Sequence, residues 1–176
     1  SFMIICNAVN RKKIVAWINS LIEMLSSMNV KDIEFSDKTF DYGLIAVQGP
    51  ESLDIGRNME LKIPEKAFRF AETEWHGIPV LISKTGYTGE DGFEVLIEDL
   101  HPYHPDHGHR GTPERIMRFI KHLLVAGGDY GMEPCGLFSR DTLRIEAGFG
   151  LYGNDIWEKQ LPDSEVDSIT PLECGL

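Results

Sequence analysis

Apolar positions along this chain fall into short runs, and their spacing changes from segment to segment. Met3 to Cys6 is apolar from its first position and reads as a strand. Asn10 can cap a helix that opens with Arg11-Lys12-Lys13. Along it Ile14, Trp17, Ile18, Leu21 and Leu25 recur at helical spacing. Leu44 to Val47 reads as a short buried strand. Pro50 follows where a first-turn proline is tolerated, ahead of a short helix through Leu53 and Ile55. Phe68 and Phe70 sit two apart on a candidate strand that runs to Trp75. His76-Gly77 then turns the chain into Ile78, Val80 and Ile82, which alternate.

Beyond them lies Gly86-Tyr87-Thr88-Gly89-Glu90-Asp91-Gly92-Phe93-Glu94. Glycine supplies positive φ and close backbone approach. The run therefore reads as a kinked turn feeding a strand that ends near Ile97, with Glu94 just past the turn. Leu100 to Gly111 is dominated by Pro, His and Gly and reads as a surface loop. Thr112 caps the next helix, with Pro113 at its first position. Ile116, Ile120, Leu123 and Leu124 form its stripe, and Gly127-Gly128 stops it. A last helix runs from near Gly136 to near Gly148, and the tail from Trp157 is acidic and irregular. Helices and strands alternate without a βαβ nucleotide signature. That predicts an α+β fold, with helices on one side of an antiparallel sheet.

Composition narrows the function. At 176 residues the chain suits one domain, or one plus a fragment. Its 42% hydrophobic content is enough for a core at this length. The net charge of −11 argues against nucleic acid or an anionic membrane as a general partner. No apolar run approaches the ~20 residues of a membrane span. Ser1 to Cys6 has neither the charged start nor the cleavage site of a signal peptide. Cys6, Cys135 and Cys174 are odd in number and far apart, so neither a disulfide framework nor a CxxC metal site follows. A reducing compartment is the simpler reading.

Three further segments carry weight beside the glycine turn. They are Leu44-Ile45-Ala46-Val47-Gln48-Gly49-Pro50, then Pro134-Cys135-Gly136-Leu137-Phe138-Ser139-Arg140-Asp141-Thr142-Leu143-Arg144-Ile145-Glu146-Ala147-Gly148, then Leu151-Tyr152-Gly153-Asn154-Asp155. In this order the set resembles the glycine cleavage system T-protein family, the tetrahydrofolate-dependent aminomethyltransferases. The likeness runs from about Phe2 to Leu176 and implies a single central folate-binding domain with a T-protein-like (ferredoxin-like) fold. It covers only the middle of the family's length, so the chain reads as truncated at both ends. Ile4-Ile5-Cys6-Asn7-Ala8-Val9-Asn10 looks like the family's strand ending in Val-Asn-Ala. The family's catalytic aspartate lies upstream of that strand, so no catalytic residue is expected within these residues.

The resemblance implies transfer of the methylene of a lipoyl-bound aminomethyl group to tetrahydrofolate, with release of ammonia. The implied partner is the lipoylated H-protein, and the implied location is the cytoplasm, or the mitochondrial matrix in a eukaryote. Glu94 stands at the family's pterin-binding glutamate. A charged residue within Phe93-Glu94-Val95-Leu96-Ile97 must be paired if it points inward, or else it faces water on an alternating strand. A pterin offers a ring N–H and an exocyclic amine, and one carboxylate accepts both.

Arg140 stands at the family's folate-contacting arginine. It shares a helix face with Arg144, and Asp141 and Glu146 are available to neutralise the pair. Tyr87 is expected to stack on the ligand or hydrogen-bond to it. Phe68 and Phe149 lie where relatives often carry tyrosines, and aromatic walls suit a flat heterocycle. Asn7 matches an asparagine beside the ligand, and equally reads as a helix cap.

His101, His104, His107 and His109 crowd the Leu100 to Gly111 loop beside Asp106. Imidazoles and a carboxylate can bind zinc or nickel. Prolines and glycines leave them without fixed geometry, so a solvated loop is expected and no metal site is assigned. The loop is an apparent insertion, which keeps a folate-dependent demethylase of the same superfamily as a rival. A non-enzymatic folate-binding scaffold is the second rival. Its relatives carry a Lys-Gly-Cys-Tyr type motif where this chain has Gly86-Tyr87-Thr88-Gly89-Glu90.

Overall fold

The computed structural model describes residues 1–30, 32–99, 103–104, 108–109, 111–156 and 169–172. It divides into two units, Ser1–Thr39 and Phe40–Leu176. Each is described by itself.

In the first unit a 3-10 turn, Ala8–Asn10, leads into helix α1, Arg11–Ser27. Ile14, Ile18, Leu21 and Leu25 form its half-buried stripe, as their spacing predicts, whereas Trp17 is exposed. Asn10 precedes the helix without a side-chain capping bond. The strand expected over Met3 to Cys6 is absent. These residues are exposed and pair with no strand among the described residues. An apolar run becomes a strand only where a neighbouring strand accepts its backbone groups.

The second unit is the α+β arrangement expected. Strands β1 (Tyr42–Gln48), β2 (Phe70–Trp75), β3 (Ile78–Ser83) and β4 (Gly92–Glu98) form an antiparallel sheet in the order β1-β4-β3-β2. The β2–β3 turn works because His76 and Gly77 both take positive φ, 47° and 79°. That geometry matches the twist of a two-residue hairpin. One sheet face presents Val47, Trp75, Ile78, Val80, Ile82, Phe93, Val95 and Ile97 to helices α2 (Ser52–Asn58) and α3 (Glu114–Gly128). Ile55 of α2 with Phe119 and Leu123 of α3 completes that core. Burial of each such side chain contributes about 1.5–3 kcal/mol. The indole N–H of Trp75 donates to the Met59 carbonyl at 3.1 Å, so its polar edge is satisfied inside the core.

Several expectations change in detail. β1 is a longer edge strand, not a strand buried on both faces: Val47 is buried while Leu44 is exposed on the opposite side. Thr112 does not cap α3. The Asp99 carboxylate accepts the Ile116 N–H at 2.9 Å and does that work from the end of β4. Phe119, fully buried, is the deepest residue of α3 and lies outside the stripe read from spacing, whereas Leu124 of that stripe is exposed. Helix α4 spans Leu137–Glu146, within the bounds expected.

In the histidine-rich segment, Tyr103–His104 (β5) pairs antiparallel with Gly108–His109 (β6), so the described part is a short ladder where a solvated loop is expected. His104 packs edge-on against Phe40, with ring centroids 5.1 Å apart. His101, Asp106 and His107 lie outside the described residues, as does most of the tail from Trp157.

Candidate functional site

The site grows from the face of the sheet opposite to the one that packs on α2 and α3. Strand alternation places Leu44, Ala46 and Gln48 of β1 on that face. Register sets Leu96 opposite Leu44 and Glu94 opposite Ala46. On the other flank of β4, Leu81 lies opposite Leu96 and Ser83 opposite Glu94, and Phe70 pairs with Ser83. Glu94 is thus a half-buried carboxylate at the end of an apolar strip. Thr85 donates its hydroxyl to Glu94 Oε2. The hydroxyl oxygens of Ser83 and Thr85 are 2.7 Å apart. Oε1 of Glu94 has no hydrogen-bond partner among the described residues.

The glycine turn is pinned from beneath by Gln48. Its amide nitrogen donates to the carbonyls of Thr85 and Phe93, both at 3.2 Å. A Cβ on Gly86 would stand 2.0 Å from Gln48 Oε1, and one on Gly92 would stand 2.3 Å from it. Those glycines are there for close approach. Gly89 takes φ +78°, and a Cβ on it would meet the Ala147 side chain at 2.7 Å. The turn therefore lies directly against the end of α4. Its far end is tied to the β1–α2 junction, because the Asp91 carbonyl accepts from Gly49 N at 2.9 Å and from the buried Ser52 hydroxyl at 3.0 Å.

Tyr87, in the turn, stacks on Phe149 with ring centroids 5.6 Å apart and planes 24° from parallel. Its hydroxyl donates to the Gly150 carbonyl at 2.6 Å. The guanidinium of Arg140 lies over the same ring, 5.4 Å from its centroid, a cation–π arrangement. Arg140 is exposed.

Arg144 is not a second ligand arginine on that face. It is 3% exposed, and its Nε donates to Asp141 at 2.8 Å. Its Nη1 donates to the Phe149 carbonyl at 3.0 Å and also to Asp155. The hydrogen bond to Asp141 holds this guanidinium above its ordinary pKa, against the pull of burial, with Asp155 adding to it. The Leu151 amide donates to Asp155 at 2.8 Å. That bond, then the one from Arg144, holds Asp155 below its ordinary 3.8. Asp155 takes the neutralising place expected of Glu146.

The structure thus brings Tyr87, Phe149 and Arg140 together, two residues along the chain from the Thr85–Glu94 bond. Phe68 is not on β2. It sits two residues before the strand at φ +58°, 87% exposed, with its N–H donating to the Lys84 carbonyl at 3.0 Å. Its side chain therefore lies outside the core, beside Lys84-Thr85. Asn7 belongs to the first unit, exposed at the start of the 3-10 turn and without a side-chain capping bond. Thr85, Ser83 and Gln48 are absent from the residues read out of the sequence. The one local signal was the alternation of hydroxyls at Ser83 and Thr85 as β3 runs out. Gln48 stands in the Leu44 to Pro50 segment that carries the resemblance, but its role has no local signal, because its partners are 37 and 45 residues away.

Comparison with known proteins bears on this site. The model of the GCVT N-terminal domain matches residues 1–176. A protein of Thermococcus kodakarensis named "Probable aminomethyltransferase" is 41% identical over 178 residues, covering 100% of this chain and 45% of that protein. One of Caldanaerobacter subterraneus subsp. tengcongensis, named "Aminomethyltransferase", is 35% identical and is covered to 40% of its length. The chain therefore spans less than half the length of these relatives. The crystal structure of glycine cleavage system aminomethyltransferase T from Bartonella henselae superposes with a TM-score of 0.51 at 32% identity, over 70% of this chain and 28% of that one. The family model spans the whole of this chain and the T-protein structure shares its fold at 32% identity, so the chain belongs to the glycine cleavage T-protein, or aminomethyltransferase, family.

Proposed function

We propose that this chain is the central folate-binding domain of a glycine cleavage aminomethyltransferase, and that Glu94 holds the pterin. The observation that carries the reading is Glu94 itself. It is a half-buried carboxylate with one oxygen bonded to Thr85 and the other without a partner among the described residues. It closes a strip of Leu44, Leu96, Leu81 and Ala46 on one face of the sheet, of which Leu44 is exposed and Leu96 buried. A flat heterocycle with two adjacent N–H donors fits that combination, because the strip accepts its face and the carboxylate its edge. Tyr87, Phe149 and the exposed Phe68 supply aromatic surface. Arg140 supplies a cation whose planar fork suits a carbonyl or a carboxylate of the ligand. Asn7 is proposed as a further contact on the resemblance alone.

Tetrahydrofolate supplies the two nitrogens, N5 and N10, that take the methylene, with ammonia and the dihydrolipoyl thiol as the leaving groups. This chain's residues bind and orient. Effective positioning of two reactants is worth about 7–11 kcal/mol of barrier in favourable cases, so a site without a nucleophilic side chain is chemically sufficient for that share. The general acid–base group is proposed to lie in the part of the relatives that this chain does not span. The aminomethyl donor is proposed to be the lipoylated H-protein. The compartment is proposed to be cytoplasmic, or the mitochondrial matrix in a eukaryote, on the resemblance alone. Among the described residues no helix is long and apolar enough to cross a membrane.

Isothermal titration of tetrahydrofolate into the wild-type protein and Glu94→Gln tests the reading. The substitution keeps the shape and removes the charge, so affinity should fall by about 1.5–3 kcal/mol. Equal affinities would remove Glu94 from the pocket.

A further inference from the structure

We propose that Ser83 and Thr85 are positioning residues for Glu94, a two-hydroxyl chain that fixes the orientation in which its carboxylate meets the ligand. The inference rests on the folate reading above and deepens it.

Directionality follows from proton counting. A threonine hydroxyl has one proton. Thr85 spends it on Glu94 Oε2. The 2.7 Å contact between Ser83 Oγ and Thr85 Oγ1 must then be donated by Ser83. The chain runs Ser83 to Thr85 to Glu94, and every donor points toward the carboxylate. Such chains polarise one another, so the terminal bond to the charged group is strengthened. Each member is held by something rigid. Ser83 closes β3 and lies directly opposite Glu94 in the sheet. The carbonyl of Thr85 accepts from Gln48 at 3.2 Å, and Gln48 also accepts weakly from Thr88 at 3.5 Å.

Glutamate has three rotatable side-chain bonds, and fixing them is otherwise left to the ligand. With Oε2 tethered, Oε1 is the oxygen left for a second donor, and Oε2 still has a lone pair for the first. A bidentate grip on the two pterin donors is thereby prepared before the ligand arrives, which lowers the ordering cost of binding.

The test is a double-mutant cycle in the intact protein, read by titration with tetrahydrofolate and with its 2-desamino analogue, which lacks the exocyclic donor. Thr85→Val keeps the branched shape and removes the hydroxyl. It should weaken tetrahydrofolate binding about tenfold, the scale of a bond to a charged group. Thr85→Ser should restore it. Thr85→Val should also shrink the preference for tetrahydrofolate over the desamino analogue, which a merely structural residue would leave unchanged. In a Glu94→Gln background Thr85→Val should cost much less than tenfold. Ser83→Ala should reproduce the effect at two- to threefold, and it carries the test if Thr85→Val does not fold. If Glu94→Gln binds normally, the folate reading itself fails. If Glu94→Gln weakens binding while Thr85→Val and Ser83→Ala do not, or if Thr85→Val costs the same in both backgrounds, the positioning role is wrong and the folate reading stands.

Discussion

The buried guanidinium of Arg144 donates to the Phe149 carbonyl at 3.0 Å, so the residue that stacks on Tyr87 is held by the helix just before it. Tyr87 grips the next carbonyl, that of Gly150, at 2.6 Å. Two successive carbonyls are thus held by side chains from two elements, and the aromatic pair forms beside them. Lysine cannot reproduce Arg144, because a point charge cannot serve Asp141, Phe149 and Asp155 in a fixed fork. Arg144→Lys should lower the melting temperature by several degrees and weaken tetrahydrofolate binding. Tyr87→Phe removes one hydrogen bond and keeps the stack, so it should cost only about 1 kcal/mol in urea unfolding. A lysine variant with wild-type melting and affinity would show that the clasp is dispensable.

The same clasp sets an acid dependence. Asp155 lies below its ordinary 3.8 in the folded protein, chiefly through the Leu151 amide and then through Arg144. The unfolded chain therefore binds a proton at Asp155 more readily than the folded one does. The stabilisation is fully present above about pH 4 and is lost as pH falls through the native value. Asp155→Asn has nothing to titrate. The gap in urea midpoint between wild type and Asp155→Asn should be constant from pH 7 to 5 and close below pH 4. Asp37 is also lowered: burial pushes it up, but the bonds from Thr39 and Arg11 outweigh that. Both proteins keep Asp37, so it cancels in the difference. A gap that widens on acidification would invert the assignment.

How much of this was legible depends on whether a residue's partner is local. The glycine turn could be read because glycine spacing and an apolar run meet within a few residues, whereas Glu94 was singled out only by the family resemblance, its residues alone leaving it paired inward or facing water. α4 could be read because Gly136 and Gly148 bracket it. Phe68 was read onto β2 because a strand and a left-handed corner give the same two-residue spacing, and only the backbone angle tells them apart. Met3 to Cys6 looked like a strand because apolar runs do not reveal whether a pairing partner exists. Asp99 and Gln48 act on distant backbone groups, and Asp155 reaches a side chain on the preceding helix, so no periodicity marks them.

The core beneath the site makes a separate prediction. Phe93 precedes Glu94 and is fully buried, as is Phe119 of α3. Truncating either to alanine opens a cavity in a close-packed interior and should cost about 3–5 kcal/mol. The two should differ in their effect on ligand. Phe93→Ala disturbs the strand that carries Glu94 and the carbonyl that Gln48 grips. Phe119 packs on Trp75, at the far side of the sheet from Glu94. Under conditions where both variants remain folded, tetrahydrofolate affinity should fall for Phe93→Ala and be retained for Phe119→Ala. Equal losses would mean that affinity follows global stability rather than the local frame of Glu94.

Gln48 and Gly92 make the sharpest pair. Gly92 is not at positive φ, so alanine there is not excluded by the backbone. What excludes it is the Gln48 side chain, whose Oε1, Cδ and Nε2 would stand 2.3, 2.4 and 2.6 Å from the new Cβ. Gly92→Ala should therefore destabilise by about 1–3 kcal/mol, the usual range for overpacking. Gln48→Ala empties the space but deprives the Thr85 and Phe93 carbonyls of their donor, and should cost a further ~1 kcal/mol or more on its own. Combined, the alanine at 92 meets no amide, so the double variant should be more stable than the sum of the single losses predicts. Residues in contact typically couple by about 0.5–3 kcal/mol in such a cycle. Chemical denaturation of the four proteins measures it, and strict additivity would show that Gln48 does not occupy the space beneath the glycine turn.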